Sequence, residues 1–90
     1  MAARSGESLA QYDAGIRRGA AVTPNDGTDL SSITRGIFIG GAGNIAVIFA
    51  DDADGAPVTL TGIATGVWHP MQVRRVMSTN TTATLILAGY

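Results

Sequence analysis

The sequence predicts an all-β chain: a small antiparallel β-sandwich or barrel of about six to seven short strands, preceded by an N-terminal arm. Three observations carry that expectation. Turn-forming clusters of Gly, Pro, Asn, Asp and Ser recur about every ten residues, a spacing typical of sandwiches and barrels. The runs between them alternate apolar with polar residues or are rich in β-branched and aliphatic ones, which suits a pleated, half-buried surface. After residue 19 no run of adequate length follows the 3.6-residue period of a helix. The alternative is an α+β domain with a helix within the first 18 residues.

Taken in order, residues 1–19 read as an arm and residues 20–90 as one β domain. Within the arm the sparse apolar residues Leu9, Tyr12 and Ile16 stand at i, i+3 and i+7, enough for a short amphipathic turn, while Gly15 and Gly19 oppose a long helix. Ala20 to Thr23 forms a weak strand closed by Pro24. Asn25 to Asp29 is dense turn chemistry. Ile33 to Gly40 alternates, with Ile33, Arg35, Ile37 and Ile39 on one face. The glycine-rich turn Gly41 to Asn44 then leads into Ile45 to Ala50, apolar on both faces like a strand covered on both sides. Those two runs predict a hairpin. After the polar turn Asp51 to Pro57, Val58 to Leu60 is a short strand and Gly62 to His69 is irregular. Met71 to Met77 alternates, with Met71, Val73, Arg75 and Met77 on one face. Ser78 to Thr81 is a turn and Ala83 to Ala88 a final strand.

Composition narrows the function. The chain has 90 residues, no Cys, a single His and a net charge of −1; all six basic residues are Arg. A domain this short buries only roughly 60% of the surface its unfolded chain exposes, and small domains lean on disulfides, metals or partner subunits. The first is excluded by the absence of Cys and a multi-histidine metal site by the single His, which leaves oligomerisation as the economical source of burial. No basic patch with interleaved aromatics suggests direct nucleic-acid binding. The longest wholly apolar run, Ile45 to Ala50, is far short of the about 20 residues a membrane-spanning helix needs, and no secretory signal is recognisable.

No catalytic constellation emerges, and the chain reads as a non-enzyme with no cofactor or metal. Gly41-Ala42-Gly43 lacks the third glycine of a dinucleotide fingerprint and is followed by a strand. Asp51 to Gly55 resembles a calcium loop, but with Gly55 at its sixth position the first and twelfth ligands fall on Ala50 and Thr61. His69 beside Trp68 and Pro70 has no partner motif for nucleophilic catalysis. The informative residues are large or charged ones in awkward places. Trp68 and Tyr90 offer amphipathic surfaces of the kind that anchor interfaces. Arg74 and Arg75 put one guanidinium on each face of a strand, and Arg35 shares a face with three Ile, so one or more of them is expected to reach a carboxylate on a neighbouring subunit. Arg35, Trp68, Arg74, Arg75 and Tyr90 are therefore the candidate self-assembly or partner residues.

Four segments carry a resemblance. Ala21 to Leu30 (AVTPNDGTDL), Thr34 to Val47 (TRGIFIGGAGNIAV), Pro70 to Val76 (PMQVRRV) and Thr81 to Thr84 with the terminal aromatic Tyr90 resemble, in order and spacing, the head spike base proteins of phages and gene transfer agents. The resemblance runs from about residue 21 to residue 90. Departures lie in Asp51 to Pro57, longer and more acidic than the family turn, and in Val67-Trp68-His69. The resemblance implies a structural virion protein, a homopentamer that meets capsid protein at five-fold vertices and anchors a spike fibre for host-surface attachment. It implies a place on the capsid exterior after synthesis in the host cytoplasm. A different reading of the residues alone is a small carbohydrate-binding module with Trp68 as its stacking platform.

Overall fold

The computed structural model describes residues 15–90. Among them seven strands and no helix occur: β1 Gly19–Ala21, β2 Gly36–Gly41, β3 Ile45–Phe49, β4 Val58–Leu60, β5 Trp68–Pro70, β6 Val73–Val76 and β7 Thr84–Gly89. They form two antiparallel sheets, one ordered β1-β7-β2-β5 and the other β4-β3-β6. The expected sandwich is therefore present. The proposed division at residue 19 falls at the start of β1; most of the arm, with Leu9 and Tyr12, lies outside the described residues.

Ile37 and Ile39 of β2 and Ile86 and Ala88 of β7 face Ile45 and Val47 of β3 and Val73 and Val76 of β6, with Ala83 at the margin. Removing such side chains from water supplies roughly 1.5–3 kcal/mol for each fully buried large aliphatic. The other face of β3 is covered too, since Ala46 and Ile48 are also buried.

Three expectations need correction. The two runs predicted to form a hairpin lie in different sheets. Strand β2 pairs with β5 and β7, β3 pairs with β4 and β6, and residues 42–44 cross between the layers. Gly43 makes the crossing: its φ is +154°, and a Cβ there would stand 2.6 Å from the Thr82 carbonyl carbon and 2.7 Å from Ala83 Cα. Asn44 locks the corner, its carbonyl accepting from the Thr82 and Ala83 N–H groups. Second, Trp68 lies on a strand and not in an irregular loop, because β5 pairs with β2 through Ile37↔His69 and Phe38↔Trp68. Pro70 is tolerated there because β5 is an edge strand.

Third, strict alternation fails in β6. Arg75 stands opposite Ile48 and Val73 opposite Phe49, so Arg74 is an extra residue, a β-bulge. Val73 and Val76 consequently both enter the core. In the run Ile33 to Gly40, alternation holds for Ile37 and Ile39 within β2, but before the strand Ile33 is 44% exposed and Thr34 is buried. Residues 25–34 instead run beside β6: Asn25 N–H donates to Val76 O, Leu30 N–H to Arg74 O and Thr34 N–H to Val73 O. This segment covers a sheet edge that would otherwise invite pairing with another chain.

Candidate interaction surfaces

The bulge in β6 re-aims its two arginines, and both reach the same carboxylates. Arg74 Nη1 donates to both Asp29 oxygens, at 3.1 and 3.2 Å, and Arg74 Nη2 to Asp54 Oδ1 at 2.7 Å. Arg75 Nε donates to Asp29 Oδ1 at 2.7 Å, and its Nη2 stands 3.7 Å from Asp54 Oδ1. Arg74 Nη2 also donates to Asp52 O, and Arg75 Nη1 to Asp26 O. The hydrogen bond from Arg75 is the leading cause that holds the Asp29 carboxyl below its ordinary value. Its counterpart from Asp54 raises Arg74. The expectation that these arginines need a neighbouring subunit is thus replaced: carboxylates of the same chain engage both. Asp54, read from sequence as part of an acidic turn, is one arm of this brace.

Asp26 builds a second brace. Its carboxylate accepts from the N–H groups of Ser78 and Thr79 and from the Thr79 hydroxyl. The Thr79 side-chain bond leads the causes that lower its pKa. Asn25 Oδ1 accepts from Gly27 N–H at 2.8 Å, the local turn bond expected of this segment. Together these contacts hold the 25–30 and 50–54 loops onto β6.

Arg35 and Tyr90 meet at a basic cleft. About 480 Å³ of space is lined by Arg17, Arg18, Ser32, Ile33, Arg35 and Tyr90. Tyr90 O accepts from the N–H groups of Arg17 and Arg18, while Tyr90 N–H donates to Arg18 O. The Arg18 guanidinium lies 4.5 Å from the Tyr90 ring centroid, a cation–π contact. Tyr90 also packs against the core. Arg35 Nη1 donates to Gly15 O at 2.6 Å.

Trp68 belongs to a third surface, the outer face of the four-stranded sheet. Register aligns Ala21, Leu87, Phe38 and Trp68 in one row across all four strands. The Phe38 and Trp68 rings are 5.4 Å apart at 56°. Trp68 is 41% and Leu85 75% exposed. The neighbouring row is Gly19, Gly89, Gly36 and Pro70. No charged side chain belongs to either row, so the face is broadly apolar, the usual mark of a contact surface. His69 points elsewhere: its Nε2 donates to Ala64 O at 2.7 Å, which assigns the proton to that nitrogen. Among the described residues no group of three or more His, Asp or Glu is placed to hold a metal.

Sequence reasoning missed Asp26 and Asp29 as braces, and it missed half-buried Phe38 with exposed Leu85 and Leu87 as members of the outer sheet face. A weak signal existed for the last three, since their alternate neighbours Ile37, Ile39, Ile86 and Ala88 are core residues, and period two sends the others outward.

One solved chain shares this fold throughout. It comes from the capsid of a native GTA particle computed with C5 symmetry. It covers 100% of both chains with a TM-score of 0.75 at 24% identity. No protein-family model matches the present chain, and no curated protein matches it.

Proposed function

We propose that this protein is a structural virion component, the base of a capsid-vertex spike in a phage or gene-transfer-agent particle, that works by shape and multivalency without chemistry of its own. The observation that carries the reading is the full-length likeness to a chain of a GTA capsid computed with C5 symmetry, joined to the four segments that resemble head spike base proteins. Five copies form a ring over the five-fold vertex, on the capsid exterior, and the ring anchors a spike fibre. In a cyclic ring each contact joins one patch to a different patch on the next copy. Two unlike surfaces suit that arrangement: the apolar sheet face around Trp68, and the basic cleft of Arg35 and Tyr90. Arg74 and Arg75 contribute by holding the acidic loops in shape.

Light scattering over a range of concentrations tests the ring: the expected mass is five times the 9.2 kDa chain. Labelled antibody on purified particles tests the location. Signal at the vertices is expected, and particles that lack the protein altogether would sink the reading.

A further inference from the structure

We propose that neighbouring copies of this chain meet through opposite edges of the four-stranded sheet, with the Trp68 ring of one copy seated in the basic cleft of the next, against the Arg17 and Arg18 guanidinium groups. This contact is the repeated one of the ring proposed above, and it stands only if that ring forms. Topology sets the arrangement. The sheet runs β1-β7-β2-β5, so β5 with Trp68 is one edge, and Arg17 and Arg18, just before β1, stand at the other. The strand spacings between the two edges add up to about 14 Å, which keeps Trp68 from these arginines within one copy. A ring needs that polarity: each copy offers one patch to the copy ahead and a different patch to the copy behind.

The β5 edge is built for side-chain contact and not for strand pairing, since Pro70 has no N–H to offer a further strand. Trp68 leans on Phe38 and stays 41% exposed. Beside it an open hollow of about 630 Å³, lined by Ile16, Arg35, Gly36, Trp68 and Pro70, gives the neighbour's arginine stems space to enter. At the far edge the arginines are fixed from both sides. Tyr90 O accepts from both of their N–H groups. Ile16, the residue before them, lies over Gly36 and Gly89, which face each other in register on β2 and β7. A Cβ on Gly36 would stand 2.9 Å from Ile16 Cδ1, and one on Gly89 2.7 Å from it, so both positions must lack a side chain. Strand β1 itself is Gly-Ala-Ala, with nothing bulky to hold a neighbour away. The Arg18 guanidinium already lies 4.5 Å from the Tyr90 ring centroid, and its exposed side can take a second ring. Arg17 is exposed too, and among the described residues neither guanidinium meets a carboxylate. Every described Asp lies in the 25–30 and 50–54 loops, held on the other sheet. Such a pair of cations favours the negative face of an aromatic ring, and Trp is the strongest cation binder among aromatics.

Light scattering and circular dichroism of the full chain and its variants test the contact. Trp68→Ala removes one half of it, and Arg17→Ala combined with Arg18→Ala removes the other. Each should raise the concentration needed for the ring by about tenfold or more, with unchanged circular dichroism, whereas Trp68→Phe keeps an aromatic face and should keep the ring. Mixed in equal amounts at high concentration, the two defective chains retain one intact contact: the cleft of the Trp68→Ala chain against Trp68 of the other. They should stop at a two-chain species, twice the 9.2 kDa mass, which also shows that both are folded. Trp68 is the sole Trp, so its emission should shift to the blue on that mixing. A ring unchanged in either variant would overturn the contact and leave the ring reading standing, as would a mixture with no two-chain species beside a parent that forms the ring. A ring kept by Trp68→Ala but lost by Asp51→Asn with Asp52→Asn would give the cleft to the acidic loop of the next copy. A parent chain that stays monomeric at every concentration would overturn the contact together with the ring, and labelling of particles would then judge the proposed place in the virion by itself.

Discussion

Thr34→Val tests how the sheets are joined. Thr34 is 1% exposed, and its hydroxyl does two jobs. It donates to Met71 O at 2.9 Å and accepts from Val73 N–H at 2.9 Å, so the entry to β2 is tied to the start of β6. Valine keeps the shape but replaces the oxygen with a methyl group. The N–H of Val73, a fully buried residue, then has no acceptor there, at a cost of about 1–3 kcal/mol. The Met71 carbonyl loses its donor as well, about 1 kcal/mol more. The added methyl returns about 0.8 kcal/mol. The net expectation is a loss of about 2 kcal/mol, which for a domain of this size lowers the thermal midpoint by about 8–16 °C. Urea unfolding followed by Trp68 emission should show a lower midpoint with an unchanged slope. Thr34→Ser keeps the oxygen and should lose only about 1 kcal/mol through its missing methyl. A valine variant as stable as the parent, or more stable than the serine variant, would refute the argument that this hydroxyl satisfies β6.

The remaining expectations concern charge, a corner and an exposed leucine. Asp26 and Asp29 titrate below the ordinary 3.8 when folded, so the unfolded chain binds more protons near that pH. Their stabilisation is complete above the ordinary value and disappears as pH falls through the depressed folded values. Asp26→Asn should flatten acid unfolding in that window, and an unaltered profile would show that Thr79 does not hold the charge. Gly43→Ala combines an unfavourable φ with overlap onto the Thr82–Ala83 backbone. It should cost about 3 kcal/mol or more, read as poor soluble yield or a large fall in thermal midpoint; near-parental stability would argue against the crossover geometry. Leu85 has a φ of +53° while its side chain is mostly exposed. Leu85→Asn should stabilise the isolated protein by up to about 1 kcal/mol. Its incorporation into particles should fall if the apolar face makes a contact there, and parental incorporation would remove Leu85 from that contact.

What the sequence by itself determined is local. Strand material, its approximate limits and the turns between follow from period-two patterning and from residues that favour tight turns, and six of the seven strands are legible that way. Thus β3 reads directly from Ile45 to Ala50 as a strand buried on both faces. Tertiary structure alone decided which strands meet and where the charged groups go. A short turn permits either a hairpin or a crossing between layers, and packing of Gly43 on Thr82 and Ala83 selects the crossing. One extra residue in β6 turns Arg74 and Arg75 toward shared partners, and that register exists only against β3. Asp29 stands 45 positions from Arg74, beyond the reach of any periodic pattern. Ile16 found its seat because two glycines distant in sequence came into register. Patterning acts between neighbours along the chain, whereas these contacts arise only after the two sheets close on each other.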